Sequence, residues 1–146
     1  MKVLISIDNG ESADIVLREA QTFLKSFPDL DIHIFTVVDM AMVSVGRDEL
    51  EDIAFMETLE HQAAKLNQHV AILMGDIPYT FSSEMGYPSD EILKKIGKTN
   101  CDLLILGTHA HSALGHLLNT SVVEKVLRHA SCKMLVIPLS KTTDKT

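Results

Sequence analysis

The sequence predicts an α/β fold, a parallel β-sheet with helices on both faces, and three observations predict it. Short runs of branched apolar residues recur along the chain. Amphipathic stripes at helical spacing separate them. The order is an alternation, β-α-β-α-β-α-β-α-β. Such alternation implies right-handed crossovers, because a right-twisted strand leading into a helix packs back on its own sheet in that sense. The 146 residues suit one domain with one core.

The strands come first in the reading. "KVLISI" at 2–7, "DIHIFTVV" at 31–38, "DLLIL" at 102–106 and "KMLVI" at 133–137 are the four apolar runs. The first and the last two are nearly continuous, as strands buried on both faces of a parallel sheet should be. "PYTFSSEMG" at 78–86 is more polar and is placed at a sheet edge.

Ala13, Val16, Leu17, Ala20, Phe23, Leu24 and Phe27 form a one-sided stripe with Ser12 as its expected N-cap. A second stripe runs through Ile53, Met56, Leu59, Ala63, Leu66, Val70 and Leu73 and is read as core. The acidic "RDELED" before it suits a solvated helix start. Ile92, Leu93 and Ile96 mark a short third helix, expected to stop near Gly97 with Lys94 and Lys95 in its last turn. Val122, Val123, Val126, Leu127 and Ala130 define the fourth, opened by the capping box Ser121-x-x-Glu124. One domain is expected over 1–140, followed by a polar tail at 141–146.

Bulk properties exclude several classes. Net charge is −7 with no basic tract, which argues against a nucleic-acid partner. No segment is apolar for the eighteen or so residues a membrane span needs. Met1 and Lys2 run straight into "VLISI", too short for a secretory h-region, and the two cysteines suit a reducing compartment. A cytoplasmic location is expected.

In an open α/β sheet, ligands settle outside the carboxyl ends of the strands, where the strand order reverses. The candidates there are Asp8-Asn9-Gly10, Val38-Asp39, Gly107 to Ala110, and the helix start at Thr120-Ser121. Free amides and the dipole at such a start favour an anion. The pattern does not say which anion.

"VLISIDNGESA", "GYPSDEIL" and "CDLLILGTHAHSALGHLLNTSVVEKVLRHASCKMLVIP" together resemble the universal stress protein (UspA-like) family over nearly the whole chain. The resemblance implies a Rossmann-like domain of the adenine nucleotide alpha hydrolase type with strand order 3-2-1-4-5. It also implies a stress-response role, an ATP or AMP ligand with Mg accompanying ATP, and a homodimer paired through the last strand, Lys133 to Ile137. Asp8 would contact the ribose or organise a metal on the phosphates, and Val37 would touch the adenine. Gly107, Thr108 and His109 would line ribose and phosphates, with Ser121 and Val122 donating to the phosphates.

The family's nucleotide loop reads Gly, two residues, Gly, nine residues, Gly, then Ser or Thr. Here those positions carry Gly107, Ala110, Thr120 and Ser121. Ala110 keeps its amide, whereas the β-branched Thr120 resists a left-handed conformation and crowds close backbone approach. Losing two charge-assisted hydrogen bonds at about 1.5–3 kcal/mol each would weaken a site by roughly two to four decades. Gly115 sits inside the loop, and His111 and His116 stand where the family usually carries basic residues. Histidine is charged only in part near neutrality, so anion binding is expected to strengthen from about pH 7.5 to about pH 6.

The spacing of His109, His111 and His116 fits no common zinc pattern, so no metal site is expected. Cys101 and Cys132 each precede a strand, and those strands should be neighbours, which leaves inert thiols or a regulatory disulfide open. The long connection "DMAMVSVGRDELED" suits a crevice cover or an interface. No aspartate closes the third strand as a phosphoacceptor, and no G-x-S-x-G elbow occurs. The resulting expectation is a regulatory adenine-nucleotide binding module and not an enzyme, with weak ATP turnover ranked last. The alternative is a dimeric interaction protein of the same family that binds no nucleotide.

Overall fold

The computed structural model describes residues 1–8, 10–40, 48–108 and 120–139. The strands are β1 (Lys2–Ser6), β2 (Asp31–Asp39), β3 (Thr80–Gly86), β4 (Leu103–Thr108) and β5 (Lys133–Pro138). The helices are α1 (Glu11–Leu24), α2 (Glu49–Met74), α3 (Pro88–Thr99) and α4 (Thr120–His129). All strand pairings are parallel and the five-stranded order is β3-β2-β1-β4-β5, as the sequence led us to expect.

The core sits where the apolar runs put it. Val3, Leu4 and Ile5 of β1 and Leu104, Ile105 and Leu106 of β4 are buried, with Ile34, Phe35 and Val37 of β2 beside them. α1 packs on β4 and α2, while α3 packs on β1, β2 and β3 and on α4. β3 lies at a sheet edge, as its polar composition required. There His33 bridges to it, with Nδ1 2.6 Å from Thr80 Oγ1 and Nε2 2.8 Å from Ser82 Oγ.

Helix boundaries and faces differ from the sequence reading in several places. Ser12 is not the N-cap of α1. The helix starts at Glu11 behind Gly10, whose φ of 156° and ψ of −162° belong to a region that is essentially glycine's. Phe23, in the last turn of α1, and Phe27, beyond the end of the helix at Leu24, are each 42% exposed and pair with centroids 5.4 Å apart. Leu127 of α4 is exposed too, while its neighbour Val126 is fully buried.

α2 is the largest departure. Only Leu66, Val70 and Met74 are buried, whereas Ile53 and Met56 are about half exposed, at 56% and 45%. Length explains it: 26 helical residues span about 39 Å, and the 7 residues of β3 about 23 Å, so the first turns outrun the sheet. What holds that end is local. Asp48 Oδ1 accepts from Glu51 N at 2.8 Å, and the Glu51 carboxylate accepts from Asp48 N in return, a capping box.

α3 runs through Gly97 and stops at Asn100, which adopts the left-handed conformation with φ 50°. Lys98 is the basic residue of its last turn, not Lys94 or Lys95. Asparagine tolerates that conformation, and Pro88 at the start fixes the other end. α4 begins at Thr120, which places Ser121 inside the first turn and not at the flanking position a capping box needs.

A Cβ at Gly97 meets nothing within 4 Å, so Gly97→Ala should stabilise the protein by about 0.5–1 kcal/mol in urea titrations. Asn100→Val should cost about 1–2 kcal/mol, because a β-branched residue resists φ > 0. Burial, then the nearby Lys95 charge, holds the His33 pKa below its ordinary 6.5. The unfolded chain therefore binds the proton more readily. Stability should be complete above about pH 6.5 and fall as pH drops below it, and His33→Gln should flatten that decline.

Candidate functional site

The crevice is a consequence of strand order. β1 lies between β2 and β4. From β1 the chain leaves toward α1, and from β4 it leaves toward α4, which packs with α3. The connections diverge from two adjacent strands, the arrangement that in open α/β sheets makes a ligand crevice at the carboxyl ends.

Register places the candidates along that edge. Ser6 pairs with Phe35 and with Leu106, and Ile7 N donates to Phe35 O at 2.9 Å. Asp8 therefore sits just past β1, level with the ends of its neighbours, and is half-buried. Val37 in β2 has its side chain buried at 3% exposure, so its main chain and not its isopropyl group is what a ligand would meet. Gly107 and Thr108 close β4 opposite Ile137 and Pro138. Ser121 is exposed and Val122 half-buried in the first turn of α4. His109, Ala110, His111, Gly115 and His116 lie outside the described residues, as do 41–47 of the long connection and the tail beyond 139. Of Thr120 the main chain alone is described.

Gly107 has a structural reason to be glycine. A Cβ there would lie 2.7 Å from Leu139 Cδ1 and 2.9 Å from Val16 Cγ2. A side chain there would force Leu139 and Val16 to shift, whether or not a ligand binds.

Thr108 is different. Its Oγ1 is buried and, among the described residues, has no hydrogen-bond partner. An unsatisfied buried hydroxyl costs about 1–3 kcal/mol. It stands at the end of the strand that feeds the crevice.

Helix starts separate in the same way. The first turn of α1 carries Glu11 and Asp14, that of α2 Glu49, Glu51 and Asp52, and that of α3 Asp90 and Glu91. These carboxylates complement their own helix dipoles. The first turn of α4 carries no acidic residue. A helix start of that composition favours an anion more than one that carries its own carboxylates.

One cluster escaped the sequence reading. A cavity of about 380 Å³ opens at the start of α1, lined by Gly10, Glu11, Asp14, Lys65, Leu66 and His69. His69 Nε2 meets Asp14 Oδ1 at 2.6 Å across α1 and α2. No sequence signal marks this pair, which is 55 residues apart and belongs to no motif. Among the described residues, no group of three or more His, Cys, Asp or Glu side chains is placed to hold a metal ion. Among them, too, no helix is long and apolar enough to cross a membrane.

Comparison with known proteins agrees with this architecture. The sequence profile of the Universal stress protein family matches residues 1–138. A protein of Staphylococcus aureus strain USA300 assigned to the universal stress proteins is 30% identical over 139 residues, covering 92% of this chain and 82% of that one. Among solved structures, universal stress protein UspA from Lactobacillus plantarum superposes with a TM-score of 0.71 at 20% identity, covering 94% of this chain and 97% of that one. A universal stress protein family protein from Arabidopsis thaliana, solved with AMP bound, gives a TM-score of 0.66 at 15% identity, covering 99% and 97%.

The orphaned hydroxyl gives a direct test in the free protein. Thr108→Val keeps the shape and removes the unpaired group, so it should raise stability by about 1–3 kcal/mol in denaturant titrations without ligand. A loss of stability would mean that the hydroxyl is satisfied in solution.

Proposed function

The chain belongs to the universal stress protein family, and from that premise we propose that it is a regulatory module that binds an adenine nucleotide, AMP or ATP, in the crevice between β1 and β4. The observation that carries the proposal is the buried Thr108 hydroxyl at the end of β4, which has no hydrogen-bond partner among the described residues. It offers a donor and an acceptor where the ribose or a phosphate would lie. The acid-free first turn of α4 supports the same reading, since the other three helix starts carry their own carboxylates. AMP in the Arabidopsis thaliana relative supports an adenine ligand.

In this reading Gly107 and Thr108 pass along the ligand, while the amides of the first turn of α4, with Ser121 and Val122, face the phosphates. Asp8 contacts the ribose, or holds Mg when the ligand is ATP. His109 and Ala110 complete the loop. Occupancy of this loop is the signal, and turnover is no part of the proposal. A cytoplasmic site of action fits the reducing conditions that two free thiols need.

A second reading, an interaction protein, is favoured by one feature. β5 lies at the sheet edge, and its Met134, Leu135 and Val136 are only partly buried. An apolar edge strand of this kind is suited to pairing with a second copy along Lys133 to Ile137, with or without nucleotide.

The experiment is a denaturation series with AMP, and with ATP and Mg, after the purified protein has been checked for co-eluting adenine nucleotide. A binder at about a hundredfold excess over its Kd gains about 2.7 kcal/mol of stability. Thr108→Val should bind about three- to tenfold more weakly, the worth of one neutral hydrogen bond. No stabilisation by either nucleotide at millimolar concentration would leave the interaction protein as the surviving reading.

A further inference from the structure

At the sheet edge opposite the crevice, two thiols meet. Cys101 lies just before β4 and Cys132 just before β5, and these strands are hydrogen-bonded neighbours with Leu103 opposite Lys133. The Cys101 thiol donates to Cys132 Sγ across 3.6 Å. Both approaches are anchored. Asp102 N donates to Lys2 O at 2.8 Å, and Asp102 Oδ2 accepts from Lys2 N at 2.7 Å. Ala130 N donates to Val126 O at 2.7 Å and so closes α4 two residues before Cys132. The proximity is built by the fold.

We propose that Cys101 and Cys132 form a reversible dithiol–disulfide site that exchanges with low-molecular-weight disulfides of the glutathione type. An S–S bond is about 2.05 Å long, so the sulfurs must close by roughly 1.5 Å, within reach of side-chain rotation. Cys101 also borders an open cavity of about 270 Å³, alongside Lys2, His33 and Thr99, so its movement is not opposed by packed core on that side.

The two sulfurs have different parts. Cys132 is half-buried and Cys101 buried. Burial first, then the hydrogen bond to Cys132, pushes the Cys101 pKa up to about 12, so that thiol holds its proton. Cys132 is therefore the attacking group. Its thiolate forms a bond to one sulfur of the small disulfide and breaks the old S–S bond. The first small thiol leaves, taking up the proton that Cys132 released. Cys101 then attacks Cys132 Sγ, the bond to the second small thiol breaks, and that thiol departs with the Cys101 proton. Two protein thiols are oxidised and one small disulfide is reduced to two thiols. The second attack is intramolecular, so the mixed disulfide does not accumulate. The new bond would join the entries of β4 and β5 across 31 positions of sequence and should make the oxidised protein harder to unfold.

The test is incubation of the whole protein with glutathione disulfide, followed by acid quench and intact-mass analysis. The wild type should lose the mass of two hydrogens and carry no adduct. Cys101→Ser should retain one glutathione on Cys132. Cys132→Ser should react at least about tenfold more slowly than Cys101→Ser, because only the buried thiol remains. A wild-type protein that stays reduced, keeps glutathione, or crosslinks between copies overturns the proposal. So does equal reactivity of the two variants. The readout needs no nucleotide, so it stands apart from the binding reading.

Discussion

The structure depends on sealing two adjacent strands, β1 and β4, away from water on both faces. Their side chains Leu4, Ile5, Leu104, Ile105 and Leu106 are at most 1% exposed. Each such side chain contributes about 1.5–3 kcal/mol on burial. Burial of the strands also obliges every amide and carbonyl to find a partner, which the flanking β2 and β5 ladders supply. Helices must then cover both faces. With β2 and β3 on one side of β1 and β4 and β5 on the other, the chain has to reverse its direction of growth between the two buried strands. The crevice follows from that requirement.

What the crevice offers is set by how closely the surrounding elements pack. Val16 and Leu139 press against Gly107, so that a side chain there would have to displace them. One residue later Thr108 carries a buried hydroxyl that no described residue satisfies. α4 follows with a first turn that carries no acidic residue of its own. A glycine and a threonine in sequence thus have unlike roles, one determined by contact and the other by its lack.

The sheet's two outer strands show contrasting edges. β3 is polar and tied inward: Lys95 Nζ pairs with the Glu84 carboxylate, whose pKa that hydrogen bond holds down, and His33 bridges to two hydroxyls. Such an edge discourages strand addition. β5 carries apolar side chains that its own fold covers only in part. The strand ends also differ, since the carboxyl edge gathers hydrogen-bonding groups while the amino edge between β4 and β5 holds the two thiols.

The sequence by itself determined the strands, their order of appearance, the polar edge at β3 and the family. Branched runs such as "DLLIL" have few other ways to be buried, and "SVVEKVLRHASCKMLVIP" carries the resemblance residue by residue. It also brought Asp8, Gly107 and Thr108 to one edge, because the ends of parallel strands must fall together. It did not determine which helical faces are covered. Periodicity marks a face, but burial needs another element within reach, and none of the described elements covers Phe23, Met56 or Leu127. Nor did it choose Asn100 over Gly97 as a helix end, a matter of backbone angle and not of residue preference alone. The contact of two sulfurs 31 positions apart and the isolation of one hydroxyl were tertiary decisions, because both are distances between segments that share no local pattern.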